Sequence, residues 1–492
     1  MPVVKRSFTP YKVWGILMAL TLVYGVILTI VHNGTIGGGF TDLFEGLWGM
    51  VTNPTILTND YIALFGVGPA LVNSALSGLL VLCVFLLVKL PGSGLQMGAF
   101  GLTMGFALLG KNPVNMLPIL LGSLIYSAVN KGEETLRDSY KKHVTLAVFA
   151  TCLVPIVVQP AFIPQITDII GIGGGITLGI LFGLFIGFII NLVATTFAKQ
   201  TNEGLNLYVV GWLAGLVAIA FTVIYQTVGI TPFGPVNNNM WNVGPGSGAY
   251  NFELYGYLFG VAIYFLIIGV LSGGFAALKF KNLKQSFYLK AADSRYRNNF
   301  YDKYGQPPVY IAMGLLALLA FSITLPLGIV HLNGPILGAI LSMIGWGGFG
   351  KAVFNSIIII VGVFLGGVVR YFAHPDFFQY GMTFLEYVGT GASGTAIWTA
   401  AFWGTCLSPM ARFFGWRWGI VVGMLHFTFA SVIASFHWGQ CLYNNGLAAG
   451  FVCMIMIPII RSFDKKGRYR PENVFPDLKN DMASAVGVEE KV

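Results

Sequence analysis

The chain has 492 residues, 55% of them hydrophobic and only 10% charged, with a mean hydropathy of +0.75. That composition excludes an ordinary soluble globular protein and points to an all-α polytopic membrane protein. The net charge of +9 would suggest nucleic acid in a soluble chain, but here the bases flank apolar runs, so they read as topology signals and no nucleic-acid partner is expected.

In chain order, apolar runs between polar punctuation predict about fourteen membrane segments, some of them open to a re-entrant reading. In the first half these are residues 13–31, 62–88, 95–110, 112–129, 144–163, 171–197 and 205–228. The second half offers 252–278, 310–330, 335–350, 352–369, 382–411, 416–436 and 442–460. The first run is too long for a signal-peptide core and lacks a small-residue cleavage site, so it reads as a span. Sixty-four glycines suit close helix packing in lipid. Five cysteines with no CxxC pair give neither a metal nor a disulfide framework.

Basic residues orient these segments. With Lys5, Arg6 and Lys12 placed inside, alternation also puts inside Lys89, the Lys131–Lys142 group, Lys199, the Lys279–Lys303 cluster, Arg412, Arg417 and the tail from Arg461. Loops 32–61 and 229–251 then fall outside, and neither holds a Lys or Arg. Both termini are expected in the cytosol. Seven segments per half is an odd number, so the halves must face opposite ways, as in inverted-repeat transporters. Five spans plus a re-entrant hairpin give the same parity.

A duplication supports the two halves. The stretch 94–122, GLQMGAFGLTMGFALLGKNPVNMLPILLG, returns without a gap at 334–362 with nine of 29 positions identical, Lys111/Lys351 and Asn115/Asn355 among them. Chance would give roughly two or three. Further on, Thr151-Cys152-Leu153-x-Pro155 matches Thr405-Cys406-Leu407-x-Pro409, and LYVVGWLAGLV at 207–217 matches LYNNGLAAGFV at 442–452. The domains are therefore a first repeat at 1–240, an inverted second repeat at 241–461 and a charged cytosolic tail at 462–492. The loop 281–308, rich in aromatic and basic residues, is a candidate for contact with anionic headgroups. Loop 229–251 is a lid or a plain linker.

The GFALLGKNPVNMLPI stretch and its weaker second copy resemble a bacterial family of duplicated multi-spanning membrane proteins classed as a domain of unknown function. The resemblance covers most of the chain to about Arg461. It implies a bacterial cytoplasmic membrane but no activity and no site residues. In architecture the two halves are also similar to urea transporters, without that family's diagnostic motif, which is analogy alone.

Three pairs of features carry candidate chemistry. Lys111 and Lys351 each follow a glycine and precede a new helix inside apolar sequence, where an ionisable group is a functional candidate. If the hairpin tips reach the midplane, the lysines form a cationic site with Asn115 and Asn355 as neighbours; if they reach the surfaces, each lysine snorkels to an interface. The Thr151-Cys152-x-x-Pro155 and Thr405-Cys406-x-x-Pro409 breaks are the second pair, because paired helix interruptions mark transporter sites. Their alternative is a plain kink with Thr bonded back to its own helix. Gly211/Gly215 and Gly446/Gly450 read as helix-packing positions, with Asn444 and Asn445 as candidates for an outer vestibule.

Acidic groups are sparse, with Glu203 and Glu386 at span ends. His32, His331, His374 and His437 fall in outer regions without ligand spacing, and His426 reads as a packing residue. GxSxG and HExxH are absent, so no catalytic residue, cofactor or metal is assigned and no enzyme is expected. The leading expectation is a transporter or channel for a small polar solute, an anion such as a carboxylate, with its site between the two repeats. A urea-type facilitator for neutral solutes and an intramembrane lipid- or peptide-modifying enzyme are the rivals. Expected partners are the solute and the lipid bilayer; self-assembly into a homo-oligomer is left open.

Overall fold

The computed structural model describes residues 8–57, 59–231, 251–289, 299–325, 330–373, 381, 383–389 and 391–464. The tail after 464, the body of the 229–251 loop, residues 290–298 of the basic loop and His374 lie outside these. Among the described residues there is no strand, and ten helices are long and apolar enough to cross a membrane.

The first half runs α1 (Pro10–Asn33), α2 (Ile36–Thr52), α3 (Tyr61–Phe65), α4 (Val67–Leu87), α5 (Gly94–Phe106), α6 (Pro113–Val129), α7 (Leu136–Ala150), α8 (Val154–Val158), α9 (Pro164–Thr201) and α10 (Val209–Thr227). The second half continues with α11 (Asn251–Gly273), α12 (Phe280–Tyr288), α13 (Phe300–Tyr304), α14 (Gln306–Thr324), α15 (Gly334–Gly345) and α16 (Val353–Ala373). It ends with α17 (Phe384–Gly389), α18 (Gly391–Gly404), α19 (Ser408–Phe414), α20 (Trp416–Val432) and α21 (Asn444–Ser462). The two lists run in the same order from α1/α11 to α10/α21, with α17 and α18 together standing where the first half has α7, so the duplication extends beyond the stretches where sequence identity shows it.

At the centre, α5 and α15 cross antiparallel on glycine. A Cβ added at Gly345 would lie 2.9 Å from the Gly101 Cα, and one at Gly338 would lie 2.5 Å from the Gly105 carbonyl oxygen. Gly94 sits against Gly348, and its counterpart Gly334 sits against Leu108. Gly101 and Leu341 occupy equivalent positions and touch each other. Reciprocal contacts of this kind define a two-fold axis, and this one passes between Gly101 and Leu341. A second crossing obeys the same rule: Gly211 on α10 meets the equivalent Gly446 on α21, while Gly215 meets Leu447 and Gly450 meets Trp212.

Several expectations need correction. Loop 32–61 is not an open outer loop, because it folds into α2 and α3. Gly39 of α2 packs on Ile30 and Gly46 on Pro69, so the glycines that interrupt the apolar pattern are packing positions. The segment 62–88 is two helices, broken where Gly66 adopts φ 87°. Segments 205–228 and 442–460 begin with non-helical, buried backbone, and their helices start only at Val209 and Asn444. His437, expected at an outer surface, is fully buried and lies 3.1 Å from the Asn444 side chain. Asn444 and Asn445 are buried as well; Asn445 faces His426 at 3.0 Å, so the pair holds histidines rather than lining an open vestibule.

Candidate functional site

Each cassette helix stops short of full span length and turns back through glycine. α5 ends at Phe106, Gly110 takes φ 148°, and the Lys111 N–H bonds the Phe106 carbonyl at 3.1 Å. In the second copy Gly350 takes φ 95° and the Lys351 N–H bonds the Trp346 carbonyl at 3.1 Å. A positive φ is cheap only for glycine, which explains why both lysines follow one. Asn73 of α4 clamps the first turn by donating to the Ala107 and Lys111 carbonyls at 2.7 and 2.8 Å. Asn73 lies six residues inside α4, about 9 Å at helical rise, so the tip is sunk well below the helix end. The second tip matches, with Gly347 against Met313 of α14.

Both lysine side chains are fully buried, at 0% exposure. An aromatic column joins them. Lys111 Nζ lies 5.1 Å from the Phe106 ring centre, Phe106 lies 5.2 Å from Tyr443, Tyr443 lies 4.8 Å from Tyr208, and Lys351 Nζ lies 4.5 Å from Tyr208. These steps bound the nitrogen-to-nitrogen separation at about 20 Å, well within a hydrocarbon core of about 30 Å. Snorkelling anchors would carry exposed heads, whereas both of these amines are buried.

The column is built from both halves. Tyr443 belongs to the second repeat and reaches the first repeat's tip; Tyr208 does the converse. Flanking rings repeat the symmetry, with Trp346 stacked on Phe149 at 5.6 Å and Phe106 tilted on Trp403 at 5.4 Å. Cys152 and Cys441 lie in the neighbourhood of Lys111, and Cys406 in that of Lys351. Among the described residues neither lysine has a carboxylate within 4 Å. Lys351 donates to the Tyr208 hydroxyl at 2.6 Å, and that hydroxyl lies 2.7 Å from Ser342 Oγ. Among the described residues Lys111 Nζ has no hydrogen-bond partner, and neither has the Tyr443 hydroxyl.

The proline breaks place their cysteines beside the lysines while their own polar groups are consumed. Residues 151–153 and 405–407 are 3₁₀ turns. Thr151 Oγ1 bonds the Val148 carbonyl at 2.6 Å and Thr405 Oγ1 bonds the Phe402 carbonyl, the back-bonded alternative. The Cys152 carbonyl accepts from the Leu442 N–H at 2.9 Å and the Cys406 carbonyl from the Leu207 N–H at 3.1 Å, each across the repeats. Pro155 and Pro409 sit in the first turns of α8 and α19, where a missing N–H costs nothing. Asn115 is occupied as well: its amide bonds the Gly110 carbonyl and its oxygen caps the Asn112 N–H, both at 2.9 Å. Asn355 is buried next to the second tip.

Sequence reasoning missed the two tyrosine hydroxyls, Phe106 and Trp346, and also a buried acid. Asp60 caps α3 and accepts the Gly334 N–H at 3.0 Å, at the start of the other repeat's α15. Asn299, its counterpart, caps α13 and accepts the Gly94 N–H at 3.2 Å. The available signal was NDYIALFG at 59–66 against NNFYDKYG at 298–305, an offset of 239 residues ending on a shared glycine. Glu203 is not a free acid either, since it forms a bidentate pair with Arg461 at 2.8 and 2.5 Å.

Many apolar helices around a duplicated core define a multi-pass membrane protein. A family model described as "Protein of unknown function (DUF1576)" matches residues 40–227 and again 279–462, so the chain belongs to that family, which it carries in two copies. No curated protein and no solved structure matches the chain.

Proposed function

We propose that this protein is a membrane carrier for a small anion of the carboxylate or nitrate class, bound where the two repeats meet. One observation carries the reading: two fully buried lysines, at equivalent helix breaks, share an aromatic column and have no acid within 4 Å among the described residues. Packing alone does not account for them, because an unpaired buried ammonium is among the costliest groups a protein can hold. Such a group inside a membrane points to a ligand of opposite charge.

In this reading the chain lies in a bacterial cytoplasmic membrane with both termini in the cytosol, and its fourteen segments form two inverted seven-segment repeats. The α5–α6 and α15–α16 hairpins enter from opposite faces, so the two-fold axis lies in the membrane plane. Lys111 and Lys351 then mark the ends of one path, with the Phe106–Tyr443–Tyr208 column between them. Non-helical backbone at 202–208 and 437–443 lines that path, the setting in which irregular backbone is tolerated at membrane depth.

The test is uptake into proteoliposomes of nitrate, pyruvate and urea, with Lys111→Met, Lys351→Met and the double variant. Saturable anion flux that falls at least about tenfold in the double variant supports the reading, the scale expected when a charge pair loses one member. Unchanged anion flux in a folded double variant, or flux of urea alone, overturns it. Turnover of lipid or peptide without flux would move the protein to the enzyme class.

A further inference from the structure

The two tips differ in one respect that bears on coupling. Lys351 has a hydroxyl acceptor in Tyr208, whereas Lys111 Nζ lies over the face of Phe106 and has no hydrogen-bond partner among the described residues. The groups around Lys111 can be taken element by element. On its own turn, the Gly110 carbonyl is filled by Thr55, Tyr61 and Asn115. From α4, Asn73 is committed to backbone carbonyls. From the break after α7 comes the Cys152 thiol and from the segment before α21 the Cys441 thiol, both near Lys111, while Tyr443, whose ring packs on Phe106 at 5.2 Å, carries a hydroxyl with no hydrogen-bond partner among the described residues. Asp60, the nearby acid on the loop before α3, spends one oxygen on three backbone N–H groups and makes no ion pair. Among the described residues no group forms an ion pair with Lys111.

We infer that Lys111 binds the anion and a proton as one unit, so that transport is an electroneutral symport of one proton with one monovalent anion. This rests on the anion-carrier reading. The step is balanced: the amine of Lys111 takes a proton to become an ammonium, the anion supplies the missing counter-charge beside it, and the Tyr443 hydroxyl donates to the anion. Release reverses each part, with anion and proton leaving together and the neutral amine returning among Phe106, Cys152 and Cys441. Neither ligand is held alone, because an anion without the proton meets an uncharged amine, and a proton without the anion creates an uncompensated buried charge. Lys351, already hydrogen-bonded, is a waystation and not the coupling group.

The experiment uses the full chain in proteoliposomes with labelled nitrate, a strong-acid anion that does not leak through bilayers as the neutral acid. An inward proton gradient of one pH unit should drive accumulation to about tenfold at zero membrane potential, because a unit of pH is a factor of ten in proton activity. Clamping the potential at either sign with potassium and valinomycin should leave that ratio unchanged. Lys111→Arg keeps a permanent charge, so it should still bind nitrate while losing acceleration by the pH gradient. Where that variant does not fold, the unaltered protein in weakly buffered detergent should take up about one proton per nitrate bound, read with a pH dye. Nitrate flux that depends on Lys111, ignores the pH gradient and follows the potential would overturn the symport while leaving the carrier intact. Absence of saturable nitrate and pyruvate flux would instead overturn the carrier reading itself.

Discussion

The Lys111 and Lys351 tips share a backbone and differ in what holds the amine. At Lys351 three polar groups stand in a row, ending on Ser342. The position equivalent to Ser342 in the first repeat is Leu102, and the position equivalent to Trp346 is Phe106. Tyr443, the counterpart of Tyr208, therefore has an apolar neighbour where Tyr208 has a hydroxyl, and its own hydroxyl makes no protein hydrogen bond. The repeat sets where the lysines sit, and the differences at these two positions go with one lysine being hydrogen-bonded and the other not.

Four experiments would break or sharpen that contrast. The largest effect is expected where the halves are alike: Gly105→Leu and Gly338→Leu each place a side chain against the opposite helix backbone, and each should abolish monodisperse protein on size exclusion. Survival of either would mean that the crossing is not rigid. Next, Lys111→Met should raise stability by about 1–3 kcal/mol, because an unpaired buried polar group gives way to an apolar one. Lys351→Met should lower stability by about 1 kcal/mol through loss of a hydrogen bond. Shifts of the same sign in detergent unfolding would remove the distinction between the tips. Tyr208→Phe should cost about 1–3 kcal/mol, since it strips the acceptor from a buried amine, while Tyr443→Phe should stay within about 0.5 kcal/mol. Asp60→Asn should stay within about 1 kcal/mol in the same unfolding measurement, because Asn299 performs the same capping with an amide.

Much of the frame was legible in the chain. The gap-free repeat at 94–122 and 334–362 located the crossing helices, and the glycine before each lysine located the turns. The apolar runs located the long helices and the short α5 and α15, but they suggested about fourteen segments where ten helices of membrane length stand among the described residues. The contents of the site were harder to read. Asn115 looks like a ligand group in sequence, yet the turn it follows needs a cap, and capping uses both its amide and its oxygen. Thr151 and Thr405 look like free hydroxyls, but a 3₁₀ turn puts a carbonyl within reach of each. Tyr208 and Tyr443 drew no assignment in the sequence, because the partners that give them meaning lie far along the chain, 143 residues away for the Tyr208–Lys351 bond. Helix α2 was hidden by glycines that serve contact with Ile30 and Pro69.

The cross-repeat caps carry an implication about ancestry. Gly334 depends on Asp60, Gly94 on Asn299, Leu442 on Cys152 and Leu207 on Cys406, so each half leaves backbone groups that only the other half satisfies. A half-length precursor could not have buried those groups alone. It would have needed a second copy of itself, paired across the same two-fold axis, to satisfy them. Within one fused chain the two copies need not stay identical, which is how a serine can stand in one cradle and a leucine in the other.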